Sequence, residues 1–471
     1  MTLRIYNSMT RRPEPFVPLE PGKVNMYVCG PTVYDYIHIG NARPLIFFDV
    51  VRRYLEYAGY RVNFIVNFTD VDDKMIRKAE QLGSTVPEIA ERFIAAYLAD
   101  RDALGAHPPT VAPRVTDTMD EIVAFIAELV DRELAYESGG DVYFRTNRFP
   151  EYGKLSHKNL DELQYGIRVE VDKRKEHPQD FVLWKAAKPG EIHWPSPWGE
   201  GRPGWHIECS AMALKYAGQT LDIHGGGQDL QFPHHECEIA QSESFTGQPL
   251  ARYWMHNGFV NIDNEKMSKS LGNGVNVREI LKTTSAQAIR YLMLAAHYRN
   301  PLNFSEDTVR QAENSVERLA NSRGNLQHRL QAVHTDLAVP LSADDHAVLA
   351  RLGELKREFR SKMDDDFGTP DAITAWFQVV SEANAYLQQP VANERVLRDM
   401  LIFIAEMDGV LGLLPRESGL LLDAEVDALI AERTEARRAR NFARADEIRD
   451  LLAERGIVLE DTPQGIRWRR R

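Results

Sequence analysis

Two short apolar runs on either side of one amphipathic stretch constrain this chain more than any other feature. Val24–Cys29 is mostly apolar and stops at Gly30-Pro31, and Val62–Phe68 is apolar on nearly every residue. A strand with one wet face would alternate, so such runs read as parallel strands covered on both faces. Between them Leu45, Phe48, Val51, Leu55 and Ala58 recur at spacings of three and four, which predicts a helix over 41–58 ended by Gly59. Strand, loop, helix and strand in this order form a βαβ unit. The fold class expected is α/β, a doubly wound, Rossmann-like parallel sheet.

Changes of texture divide the rest. Residues 1–23 read as a polar, proline-punctuated lead-in to the first sheet segment, 1–109. Residues 110–204 read as an insertion, with a helix over Met119–Leu134, a strand-like run at Asp141–Arg145, and charged or Trp/Pro-rich segments at Asp172–Pro178 and His193–Pro203. The α/β texture resumes over 205–279, with a strand at Thr220–His224 and a helix at His234–Phe245. Residues 280–415 have few helix breakers and read as a helical bundle. The last segment, 416–471, reads as a small α/β module. Its helices are Val426–Ala439 and Phe442–Ala453, and its hairpin joins Ile457–Glu460 to Ile466–Arg469.

Composition narrows the function classes. The 471 residues carry 57 Lys and Arg against 69 Asp and Glu, a formal charge of −12, which excludes a uniformly basic nucleic-acid coat. Yet residues 431–471 hold eleven arginines, no lysine and eight acids. That local excess of +3 is a candidate nucleic-acid contact, above all at Arg467-Trp468-Arg469. Arg433–Arg449 reads instead as a surface helix pair laced with ion pairs. Three cysteines cannot form a disulfide framework, and no apolar run reaches the length of a membrane span. The expectation is a soluble, cytoplasmic chain with reduced or metal-bound thiols, no membrane and a monomeric state.

Two motifs suit phosphate chemistry. His38-Ile39-Gly40-Asn41 lies between the first strand and the first helix, where a nucleotide meets free N–H groups and the positive helix end. Lys266-Met267-Ser268-Lys269-Ser270 suits a loop that closes on a triphosphate. A third cluster is rich in metal ligands: His234-His235-Glu236-Cys237-Glu238, with His224, Cys209 and Cys29. On a helix, 234 and 238 share one face. Two thiolates, an imidazole and a carboxylate make a tetrahedral zinc set. A polar helix cap, a solvated lysine loop and two buried structural cysteines are the bland alternatives, and the residues alone leave them open.

In this order, about 230 residues apart, the two phosphate motifs resemble the paired signatures of class I aminoacyl-tRNA synthetases. The second matches at all five positions, and the first has Asn41 where the strict form has histidine. Cys29–Asp35, Gly204–Met212 and Asp222–Glu236 are similar to stretches of the cysteinyl-tRNA synthetase family, and the likeness spans the whole chain. The resemblance implies a ligase that activates L-cysteine with ATP and Mg2+ and charges tRNA(Cys). It places one Zn2+, which reads the substrate thiol, on Cys29, Cys209, His234 and Glu238. It gives His38, Asn41, Lys266 and Lys269 to catalysis, Gly40, Asp229 and Lys269 to ATP, and Thr69, Trp205 and His224 to the cysteine pocket. His235 and Glu236 have no ligand role by this mapping, and Cys237 stands where the family commonly has asparagine. By the same resemblance 110–204 is a connective insertion, 280–415 supports tRNA, and 416–471 reads the anticodon. Three rivals share parts of the pattern: the cysteine ligase of mycothiol synthesis, a catalytically silent tRNA-binding paralogue, and a generic nucleotidylyltransferase. The arginine-rich end argues against the first, the intact motifs against the second, and the length, insertion and metal set against the third.

Overall fold

The computed structural model describes residues 2–158, 173–263, 265–266, 274–333, 340–415, 420–454, 457–462 and 465–470. It falls into two compact units. The first comprises Met1–Glu313, Phe359–Ile373 and Gly409–Gly412. Its centre is a four-stranded parallel sheet of β1 (Lys23–Val28), β2 (Arg61–Val66), β3 (Leu221–Gly227) and β4 (Ala251–Asn257), in the order β4-β3-β1-β2. Helix α1 (Ile39–Tyr57) links β1 to β2, so the expected βαβ unit is present. β1 pairs with a strand on each side, Tyr27 facing Ile65 and His224. Both of its faces are covered, which is why the run does not alternate.

The chain steps from β1 to β2 on one side and from β3 to β4 on the other. Between β1 and β3 the winding reverses, and a crevice opens past the carboxyl ends of these strands. Cys29 leaves β1 into it. Two further helices flank this region, α2 (Trp205–Ala217) and α3 (Glu236–Thr246).

The structure corrects three expectations. The proline-rich lead-in is a hairpin of Arg4–Asn7 with Arg12–Pro15, Tyr6 lying opposite Pro13. Proline cannot donate to a ladder but is tolerated in a strand with a free edge. Regular helix starts at Glu236 and not at His234, because the chain just before it is not yet regular: Phe232 is extended (φ −141°, ψ 131°). Residues 280–313 belong to the first unit and not to a bundle: strand Leu302–Phe304 pairs in parallel with Val260–Ile262.

Within the insertion, Ala135–Ser138, Asp141–Phe144, Phe181–Ala186 and Gly201–Pro203 form an antiparallel sheet in sequence order. Its helix, Met119–Asp131, buries Ile122, Phe125, Ile126 and Leu129 with Ile207 and Met212 of α2. That spacing is one helical face. Asp172 lies outside the described residues.

The second unit, Asn314–Glu358, Thr374–Asp408 and Leu413–Arg471, consists largely of long helices. It ends in helices Leu420–Arg438 and Phe442–Glu454 and a hairpin of Ile457–Thr462 with Gly465–Arg470. Val426, Ile448, Leu452 and Ile457 form the core of this end. Among the described residues no helix is long and apolar enough to cross a membrane.

Candidate metal centre and active crevice

Residues far apart in sequence meet at the reversal point. Cys29 comes from the end of β1, Cys209 from α2, His234 from the turn before α3, and Glu238 from α3 itself. One ligand atom from each lies within 4.8 Å of all the others. The Cys29 and Cys209 sulfurs are 3.8 Å apart, and Cys29 Sγ is 3.4 Å from Glu238 Oε1. His234 Nε2 stands 2.8 Å from Glu238 Oε1, an ion pair buried with the thiols. A second set, Cys29, His224, His235 and Glu238, meets the same distance criterion. In it His224 Nε2 lies 2.8 Å from Glu238 Oε2, His235 Nε2 lies 3.4 Å from Cys29 Sγ, and His235 Nδ1 lies 2.8 Å from His256 Nε2. The two thiols favour the first set as the metal position.

The electrostatics fit a dication. Burial opposes the charge of Glu238, but His224 and His234 hold its carboxyl well below the usual range. Burial pushes the Cys29 thiol well up. The hydrogen bond from Cys29 lowers Cys209 to about 6. Burial also opposes a charge on His234, yet Glu238 and Cys209 raise its imidazole to about 10. At pH 7, therefore, Cys29 and His234 each hold a proton that a cation must displace. Metal uptake is expected to release about two protons, so apparent affinity rises about a hundredfold per pH unit. Calorimetry in buffers of different ionisation enthalpy measures this, and uptake without proton release contradicts the assignment.

Around the cluster, His206 Nδ1 lies 2.9 Å from His234 Nδ1. The Trp205 ring stacks on His234 with centroids 4.3 Å apart. Trp205 remains 40% exposed, which leaves ring surface open to the crevice. Thr69 is buried, and its hydroxyl donates to Glu208 at 3.0 Å. Burial pushes the Glu208 carboxyl well above its usual range. Of the three residues expected in a cysteine pocket, Trp205 lines the open space, while Thr69 and His224 lie buried behind it.

That space is a cavity of about 870 Å³ running from Cys29 past His38, Gly40 and Asn41 to Asp229 and Asn276. Gly40 is the second residue of α1, so the helix N-terminus faces the cavity. Asn41 Oδ1 accepts the His38 backbone N–H at 3.2 Å, which ties the two ends of the motif together. Lys266 sits in strand Glu265–Lys266, opposite Asn261. Its side chain and all of Lys269 lie outside the described residues. The chain just beyond, at 275–277, bonds to the first motif: Ile39 N–H to Val275 O at 2.9 Å, and Val277 N–H to Ile37 O at 3.0 Å.

Other residues acquire roles that spacing did not suggest. Glu236 accepts backbone N–H groups from Gly153 (2.9 Å), Leu155 (3.4 Å) and Ser156 (2.8 Å). Cys237 Sγ contacts the Tyr152 hydroxyl at 3.1 Å and belongs to neither metal set. A hydrogen-bonded line from Ser8 through His256 reaches His235. In the second unit, Trp468 packs on the terminal core and its indole N–H donates to Asp427 at 2.9 Å, so the ring expected to stack on a base carries a packing role. The side chains of Arg467 and Arg469 lie outside the described residues. Arg444 pairs with Glu432 and Glu447, and Arg449 with Asp446 and Asp450, as an ion-laced helix pair should. Phe442 is 60% exposed at the start of the last helix, beside Arg440.

Known proteins resemble this chain in sequence and in fold. The family profile "tRNA synthetases class I (C) catalytic domain" matches residues 15–314, the DALR domain residues 358–415, and the "Cysteinyl-tRNA ligase anticodon binding domain" residues 421–469. The fold is similar to that of Mycobacterium tuberculosis methionyl-tRNA synthetase, with a TM-score of 0.63 at 16% identity over 83% of this chain and 92% of that one. It is also similar to that of Thermus thermophilus arginyl-tRNA synthetase, with a TM-score of 0.56 at 14% identity over 88% and 85%. The profile over residues 15–314, on this fold, makes the chain a class I aminoacyl-tRNA synthetase. Cysteine–tRNA ligases of Brevibacillus brevis and Anoxybacillus flavithermus are 59% and 55% identical to it, each over 100% of both chains. The chain belongs to the cysteine–tRNA ligase family.

Proposed function

We propose that the chain joins L-cysteine to tRNA(Cys) in the cytoplasm, acting as a monomer. ATP, accompanied by Mg2+, first turns the cysteine carboxylate into cysteinyl-adenylate with loss of pyrophosphate, and a ribose hydroxyl of the terminal adenosine then takes the cysteinyl group. The observation that carries this reading is the continuity of one cavity from Cys29 to the His38 motif. It sets a thiol reader and a nucleotide cradle side by side.

Cys29, Cys209, His234 and Glu238 hold a zinc ion in this reading. Bound there, zinc supplies a preference for thiolate over hydroxyl that shape alone, worth about 1–3 kcal/mol, cannot give. Trp205 covers the bound amino acid from the exposed side, and His224 fixes Glu238 from behind. The N-terminus of α1, with His38 and Asn41, stabilises charge growing on the α-phosphate. Gly40 lets the nucleotide approach the backbone, and Asp229 takes the ATP ribose. Lys266 and Lys269 receive the departing pyrophosphate. Residues 110–204 act as the connective insertion, the helices up to 415 support the tRNA, and 416–471 with Arg467, Trp468 and Arg469 meet the anticodon. The exposed ring of Phe442 beside Arg440 adds a stacking surface there.

The test is pyrophosphate exchange with cysteine and with serine, before and after chelation. Cysteine-dependent exchange is expected, serine-dependent exchange at least about 10²-fold weaker, and both cysteine exchange and the discrimination lost with the metal. Exchange indifferent to complete metal removal refutes the reading. Exchange without tRNA charging would point to an amino-sugar as the second substrate.

A further inference from the structure

We infer that Arg278 is a positioning residue for adenylate formation, holding the chain that leaves the lysine motif against the loop that carries His38. The inference rests on the adenylation reading above. Residues 275–277 run antiparallel to 37–39, with His38 opposite Asn276. Two backbone hydrogen bonds make that junction, at 2.9 and 3.0 Å. Arg278 adds a third tie of a different kind. Its guanidinium carbon lies 3.9 Å from the centroid of the Tyr36 ring, two residues before His38. Its Nη2 donates to Asp100 Oδ1 at 3.0 Å and approaches Ala96 O at 3.4 Å, both on helix Val86–Ala103.

Three segments therefore converge on one planar cation: the stem of the lysine motif, the loop before His38, and a helix of the same unit. The anchors are themselves held. The Tyr36 ring meets Phe93 edge-on with centroids 5.2 Å apart, and the Asp100 side chain is 5% exposed. Arg278 keeps a buried Nε without a hydrogen-bond partner. The guanidinium is thus drawn in by the ring and the carboxylate although one donor goes unsatisfied. Lysine cannot replace it, because an ammonium does not stack as a plane and fork to a carboxylate at once.

A tie between the two phosphate motifs matters where both act on ATP, and not when cysteine binds or the preformed adenylate reacts with tRNA. Misplacing a reacting group by about 1 Å costs up to about 10²-fold. Arg278→Gln is expected to lower kcat for pyrophosphate exchange by about 10- to 100-fold. KM for cysteine, metal content and single-turnover transfer from isolated cysteinyl-adenylate should stay within twofold. Arg278→Lys should not restore the rate. Tyr36→Leu should reproduce the loss from the other side of the contact, whereas Tyr36→Phe, which keeps the ring, should retain activity. The inference is overturned if Arg278→Gln and Tyr36→Leu both exchange at the wild-type rate. Equal loss in both chemical steps, or rescue by lysine, overturns it too. A wild-type chain without exchange overturns the adenylation reading itself.

Discussion

Cys209→Ser is expected to cost the chain its metal ion and, with it, about 10²- to 10³-fold of its cysteine-dependent exchange. A four-ligand zinc site is worth about 10–16 kcal/mol, so one thiolate contributes about 3 kcal/mol, or about 10²-fold in affinity. Serine adds a second loss, since its hydroxyl stays protonated where the Cys209 thiol is held at about 6. Cys237→Ser is the matched control. Cys237 is equally buried and its sulfur touches Tyr152, so metal content and exchange should not change. Metal per chain after dialysis against a weak chelator measures the outcome, together with KM for cysteine. The same experiment separates the two possible ligand sets. His235→Ala should weaken binding far less than Cys209→Ser, because the set with two thiols does not include His235. If His235→Ala strips the ion and Cys209→Ser does not, the cation sits among Cys29, His224, His235 and Glu238.

What could be read from the sequence follows from the range of the forces involved. β1, α1 and β2 were legible because burial on both faces or on one leaves a period in the residues themselves. The terminal hairpin was legible from two short strand-like runs, Ile457–Glu460 and Ile466–Arg469, a few residues apart. The N-terminal hairpin was not, because Pro13 and Pro15 argue against strands unless an edge is free. The run from His234 to Glu238 was read only as a source of metal ligands. Five polar or ionisable residues in a row are all buried here, each at most 1% exposed. No period reveals that, since the compensation comes from other segments: Cys29 and Cys209, the loop at 153–156, and the line through His256. The family resemblance pointed to four residues that the structure does bring together, but neither to the second tetrad nor to the work of Glu236.

Glu236 is therefore the sharpest test of that hidden compensation, and its replacement should act on stability and not on chemistry. Its carboxylate is fully buried and gathers three backbone N–H groups from one loop, Oε1 taking Gly153 and Leu155 and Oε2 taking Ser156. Such a convergence of main-chain donors is an anion nest. The loop cannot easily shift away, because Gly153 has φ +100° and a Cβ there would lie 2.3 Å from Lys158 O. Glu236→Gln removes the charge and turns an amide donor toward at least one of those N–H groups. Hydrogen bonds to a charged group contribute about 1.5–3 kcal/mol each, so a loss of about 3 kcal/mol is expected. Glu236→Ala strands all three donors and leaves a void, for a loss of about 5 kcal/mol. At about 2 °C per kcal/mol for a unit of this size, the melting temperatures should fall by about 6 and 10 °C. Metal content and KM for cysteine, measured well below the transition, should match the parent, because neither ligand set includes Glu236. A glutamine variant that melts with the parent would mean that the loop finds other acceptors. One that melts normally but loses its ion would move Glu236 into the site itself.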